Sequence, residues 1–199
     1  MTSAAKSSPE PASIDDLLAR PEEERWELVN GRLVPKEAAS GKHGDAQGTL
    51  FHLLFPYRGA GGGQGRPGGW LFGTEVLIEF EAGQVRRPDV AGWRRERLAQ
   101  MPASAPLRVR PDWICEILSP SNAADDTVRK MHLYHRAGVP HYWLVDPIGE
   151  SLAVYRWTGD GYLHVLGATR DDTVHAEPFP EIELQVSVLF GDDERTPQE

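Results

Sequence analysis

Three side chains in the middle of the sequence could act together on a phosphate. Asp89 stands in "RPDV", Glu116 in "DWICEILSPSN", and Lys130 follows Glu116 by fourteen residues. A carboxylate buried among apolar neighbours is costly unless a positive charge or hydrogen bonds offset it. Two carboxylates on adjacent strands of one sheet can converge on a hard divalent cation, Mg2+ or Mn2+, which prefers oxygen ligands. Such an ion lowers the pKa of a bound water and polarises a phosphoryl oxygen. A lysine beside it orients the water or stabilises the developing charge. Alternate side chains of a strand share a face, so residue 118 is where a strand would carry that lysine. Leu118 stands there instead, and Lys130 is the nearest candidate in sequence. The plainer reading makes Lys130 an ordinary surface partner of Asp126, four residues before it on the same helix face as Tyr134.

The elements that must position these groups can be read from pattern. Ser13 caps a short helix that Pro21 ends, and "RWELVNGRLV" alternates around Asn-Gly as a hairpin. "GKHGDAQGTLFHLLFPYR" reads as a helix with Leu50, Leu53 and Leu54 inward. "GAGGGQGRPGG" holds seven glycines in eleven residues, a loop without the strand-then-helix context of a phosphate cradle. Strands follow in "WLFGTEVLIEF", "VRRPDVAGW" and "PDWICEILS". A helix over about 124–137 is closed by Gly138, with Pro140 beyond. "HYWLVDP" then completes a βαβ step, and "SLAVYRWTGDGYLHVL" gives two strands around Thr-Gly-Asp-Gly. "EIELQVSVLF" reads as a final strand or short helix. The fold class is α/β or α+β, a central mixed sheet flanked by helices. The organisation is a disordered tail over 1–12, one domain over 13–190 and an acidic tail over 191–199.

Length and composition suit a globular domain with a real core, and no apolar run is long enough to cross a bilayer. The start lacks the apolar centre of a secretion signal. The single cysteine, Cys115, excludes an internal disulfide and a cysteine zinc cluster, so the expected compartment is the cytoplasm. A net charge of −9 argues against broad coating of nucleic acid. Yet residues 84–110 hold seven arginines against two acids, and this basic stretch could hold a phosphate backbone locally. Arg86, Arg87, Arg94 and Arg95 are its candidate contacts; the alternative is a solvated charged loop. The six tryptophans are spaced as strand core residues, with base stacking by Trp93 the minor alternative. The seven histidines show no zinc-type spacing.

"RWELVNGRLV", "RRPDVAGW", "DWICEILSPSN" and "DDTVRKMHLYHRAGVPHYWLVDP" resemble the Uma2 family of restriction endonucleases. That family is a branch of the PD-(D/E)XK, restriction-endonuclease-like superfamily. The resemblance runs from about residue 14 to about 157 and is most specific over 116–147. It implies a restriction-endonuclease-like core in which the strand lysine has moved to the next helix. Asp89 and Glu116 match the motif acids, Lys130 the migrated lysine, and Asp126 and Tyr134 its helix neighbours. The Ile117 carbonyl would join the metal shell, and Glu75 could face the site from a neighbouring strand. Glu27 matches a recurrent glutamate, an outer metal ligand or hydrogen-bond partner. His43 matches a recurrent histidine that touches phosphate or metal-bound water, or serves the helix terminus. Asn122 replaces a common threonine, and 123–125 lack the usual arginines, which weakens local attraction for phosphate.

The reading that follows is a Mg2+- or Mn2+-dependent endonuclease acting on DNA, with a homodimer implied by the resemblance and no membrane association. Two other readings stand beside it. One is a non-catalytic nucleic-acid-binding or interaction module of the same fold. The other is a metal-dependent phosphohydrolase acting on a small substrate.

Overall fold

Asn30 and Gly31 both take positive φ, +51° and +70°, the combination that a two-residue hairpin turn requires. They join β1 (Trp26–Val29) to β2 (Arg32–Pro35), after a short α1 (Ile14–Leu18) whose N-terminus is closed by a Ser13–Asp16 capping box. The computed structural model describes residues 10–59, 67–119 and 124–193, the side chains of 124–126 excepted. The centre of the glycine-rich loop, Asn122 and the ends of both tails therefore fall outside the described residues. At the N-terminal boundary, Ala12 N–H already donates to the Gly31 carbonyl at 2.7 Å.

In chain order there follow α2 (Gly41–Leu53), β3 (Trp70–Thr74), β4 (Ile78–Glu81), β5 (Gln84–Arg86), β6 (Val90–Arg94), β7 (Trp113–Ile117), α3 (Ala124–Arg136), β8 (His141–Asp146), β9 (Ser151–Thr158), β10 (Gly161–Thr169), β11 (Thr173–Val174) and β12 (Leu184–Gln185). Among the described residues, a six-stranded sheet runs β10-β9-β8-β7-β6-β3, and a four-stranded one runs β2-β1-β5-β4. The larger sheet is mixed: β7 and β8 are parallel, joined through α3, and its other pairs are antiparallel. "EIELQVSVLF" gives both expected elements, β12 and then a short helix over Val186–Phe190.

Two stretches expected as continuous strands each divide between the sheets. "WLFGTEVLIEF" breaks at Glu75, whose φ is +56°, into β3 of the large sheet and β4 of the small one. "VRRPDVAGW" breaks at Arg87-Pro88-Asp89 into β5 and β6, because proline has no N–H for the ladder. The two breaks meet, Glu75 N–H donating to the Pro88 carbonyl at 3.1 Å.

Each face of the large sheet carries a helix. On one, Ala46, Leu50 and Leu54 pack over Trp113, Cys115, Ile117 and Trp143. Trp70, Phe72, Trp113 and Trp143 meet around Phe179 with ring centroids 5.0–5.8 Å apart, an arrangement in which edges meet faces. Gly92 lets this cluster close, since a Cβ there would lie 2.9 Å from the Phe72 ring. On the other face, Leu133 and Tyr134 of α3 pack over Ile114 and Tyr142. Trp93 is fully buried and gives its N–H to the Val109 carbonyl, so it offers no ring to a base. Trp157, expected in the core, is 41% exposed and lies against His135.

Candidate active site

Strand alternation decides which way Glu116 points. In β7, Trp113, Cys115 and Ile117 face α2, while Ile114 faces α3, so Glu116 shares the α3 face. There Lys130 Nζ donates to Glu116 Oε2 at 2.9 Å and Tyr134 Oη donates to Oε1 at 2.5 Å. Glu116, Lys130 and Tyr134 are all buried. The helix thus brings to the carboxylate what Leu118 cannot. Burial pushes the Glu116 carboxyl above the usual range, the Lys130 charge pulls it back, and the neighbouring Asp89 charge raises it again. Burial, and then the Glu116 charge, raise the Tyr134 hydroxyl well above its ordinary value. Asp126 lies in the same helix, and its side chain falls outside the described residues.

Asp89 lies in the bend immediately before β6, not on a strand. The next residue, Val90, pairs with Cys115, and the next step of that register sets Asp89 across from Glu116. The carboxylate is nearly enclosed: Oδ2 takes the Ile117 N–H at 2.7 Å and lies 3.2 Å from His43 Nε2. Gln47 holds the Asp89 backbone carbonyl at 2.7 Å. Burial disfavours ionisation here, but the His43 hydrogen bond and the charges of Lys36, His43 and Lys130 outweigh it and keep Asp89 ionised well below the usual range. The backbone N–H of His43 donates to the Ser40 hydroxyl at the helix start, while its side chain turns to Asp89.

Lys36, just beyond β2, is the site residue that sequence reasoning missed. Its Nζ lies 2.7 Å from Asp89 Oδ1, 2.9 Å from Glu75 Oε1 and 2.7 Å from the Arg87 carbonyl. Burial would lower its pKa, but Asp89, Glu116 and Glu75 together hold it above the ordinary lysine value. No spacing in the sequence marks it, because it reaches Asp89 across fifty-three residues. Glu75 does face the site, and burial raises its carboxyl against the pull of Lys36. Glu27 acts as a hydrogen-bond partner, accepting the Arg87 N–H at 2.7 Å and lying 3.3 Å from Arg86 Nη1.

The four arginines expected to contact phosphate separate. Arg86 is buried against Glu27, and Arg87 donates to the Trp26 and Glu75 carbonyls. Arg94 lies at the other end of β6, roughly 16 Å along the strand from Asp89, exposed and stacked 4.2 Å over Trp70. Arg95 donates to the Ala99 carbonyl. The rest of the basic stretch is also used within the fold, Arg97 on Asp112, Arg108 on Glu79 and Arg110 on the Gly138 carbonyl.

Asp89 and Glu75 share the Lys36 ammonium, while Glu116 is held by Lys130 and Tyr134; carboxylate oxygens are the ligand type a hard divalent cation takes. Ile117 N–H points at Asp89, and its carbonyl points to the same side of the strand, where Pro88 has no N–H to give it. The acids are balanced in this state by Lys36 and Lys130. No cluster of three or more acidic, histidine or cysteine side chains is set to hold a metal among the described residues.

Comparisons with known proteins agree with this architecture. A crystal structure of a putative nuclease belonging to DUF820 from Anabaena variabilis ATCC 29413 superposes with a TM-score of 0.68 at 22% identity, over 90% of this chain and 98% of that one. No curated protein matches. The Uma2 family, described as "Putative restriction endonuclease", matches residues 13–187. This chain belongs to that family.

Proposed function

We propose that this protein is a metal-dependent endonuclease that hydrolyses phosphodiester bonds of DNA. The observation that carries the reading is the buried contact of Lys130 with Glu116, 2.9 Å across from the following helix. It supplies at Glu116 the lysine that position 118 lacks. Asp89 and Glu116 would hold Mg2+ or Mn2+, with the Ile117 carbonyl as a further oxygen. When bound, the metal supplies Lewis acidity and a water that ionises near neutral pH. Lys130 is placed to donate to that water or to a phosphoryl oxygen. Tyr134 fixes the second oxygen of Glu116, and His43, Gln47 and the Ile117 N–H fix Asp89. Arg94, exposed at the far end of β6, is the arginine best placed to meet a phosphate backbone, with Arg95 beside it. Pairing of two copies would set two such sites on opposite strands of a duplex.

Supercoiled plasmid and single-stranded DNA, incubated with Mg2+, Mn2+ or EDTA, test the reading. The wild type should cut only with metal. Glu116→Gln and Lys130→Met should each lose about a hundredfold or more in rate, the scale of a lost acid–base or charge-stabilising group. Cutting that persists in EDTA, or variants that cut as fast as the wild type, would remove the assignment.

A further inference from the structure

Two carboxylates and a backbone carbonyl converge on the ammonium of Lys36 at 2.7–2.9 Å. Oxygens that gather round one cation in this way are the ligand chemistry of a hard metal ion, met here by a lysine. The cradle offers more than Lys36 uses: Glu75 Oε2 is buried with no hydrogen-bond partner among the described residues, an acceptor that a folded protein rarely leaves idle. The backbone is also bent to deliver it. Glu75 holds a left-handed φ of +56°, uncommon for a side chain of this kind. Lys36 enters from the small sheet, its own N–H donating to the Arg25 carbonyl at 2.9 Å and its side chain 12% exposed.

We propose that Lys36 is a resident counter-ion in the cation position between Asp89 and Glu75, and that a divalent metal loads by displacing it, with Glu75 as an added oxygen ligand. The proposal rests on the metal-dependent reading above. The lysine closes the position in most molecules, so the apparent metal affinity is reduced by the fraction that stands open. Its flexible four-carbon stem lets the ammonium withdraw toward solvent while remaining charged.

Mn2+ titration by calorimetry on the full chain decides this without reference to cleavage. Lys36→Met keeps the length of the side chain and removes the charge; it should bind Mn2+ about tenfold tighter or better. Lys36→Gln, which retains a donor for Glu75, should do likewise, and Lys36→Arg should bind no tighter than the wild type. In melting experiments the two neutral variants should gain more from Mn2+ than the wild type does. If folded Lys36→Met and Lys36→Gln bind no tighter while Glu116→Gln loses binding, the displacement proposal is wrong and the metal site stands. If no variant and not the wild type binds Mn2+, both fall. Binding by the neutral variants alone supports the displacement directly.

Discussion

At Asp89 the carboxylate is held on both oxygens, by Lys36 on one and by His43 and the Ile117 N–H on the other. The ionised form is therefore the form the fold stabilises. Its contribution is fully present above the unfolded-chain value of about 3.9 and is lost as pH falls below that toward the depressed folded value. Asp89→Asn should accordingly cost about 3 kcal/mol at pH 7, as breaking a buried ion pair does, and distinctly less at pH 3. Urea denaturation of both proteins at the two pH values checks this, and an equal cost at both would show that the charge is not what matters. Glu116 has the opposite sign, since burial raises its carboxyl. What its ionised form loses to burial is recovered as pH falls through its raised folded value, so the two acids oppose each other in the stability profile.

β6, β7 and α3 form the unit that assembles the acids. The antiparallel step from β6 to β7 sets Asp89 across from Glu116, and the parallel return through α3 lays Lys130 and Tyr134 over the same face. Gly92 sits in β6 three residues from Asp89, under Phe72 and Trp70. A methyl group there must push aromatic rings out of a closely packed cluster. Gly92→Ala should cost about 1–3 kcal/mol, read as a lowered urea midpoint with an unchanged slope. A neutral result would mean that the rings yield without loss. The helix and the return strand were legible from the sequence, because Gly138 and Pro140 mark the helix end and Asp126, Lys130 and Tyr134 at four-residue spacing share one face. The divisions at Glu75 and Pro88 were not. Local pattern in "WLFGTEVLIEF" and "VRRPDVAGW" continues through residues that the tertiary fold uses to change sheets.

At the scale of the molecule, the site lies where the two sheets join. β7 of the large sheet supplies Glu116, the crossing segment supplies Asp89, and β1 of the small sheet supplies Glu27, which pins the Arg87 N–H in that segment. Removing that charge should loosen the crossing and reach the site through it. Glu27→Gln should lower stability by about 1–3 kcal/mol, the scale of a hydrogen bond to a charged acceptor. On the metal-dependent reading it should also weaken Mn2+ binding about tenfold, as loss of an outer-shell support does. Melting and calorimetry on one preparation separate the two effects. A variant less stable but unchanged in Mn2+ affinity would confine Glu27 to holding the sheets together. The basic stretch teaches the same lesson at this scale. Seven arginines spread over residues 84–110 could hold a phosphate backbone, yet Arg86 is buried on Glu27 and Arg87 donates to backbone carbonyls, while Arg94 stays exposed.

By itself the sequence determined the layered α+β class and the βαβ step, which depend on local periodicity and turn residues that a linear chain carries in full. The match of two motif acids with a helix-borne lysine came from the family resemblance, the residues alone leaving Lys130 as a surface partner of Asp126. Only the tertiary structure decided that Lys36 and Glu75 join Asp89, that His43 and Gln47 clamp it, and that Arg86 is buried against Glu27. Each of these contacts joins residues far apart in the chain, where spacing holds no information. Which ammonium meets which carboxylate is settled by how the two sheets pack.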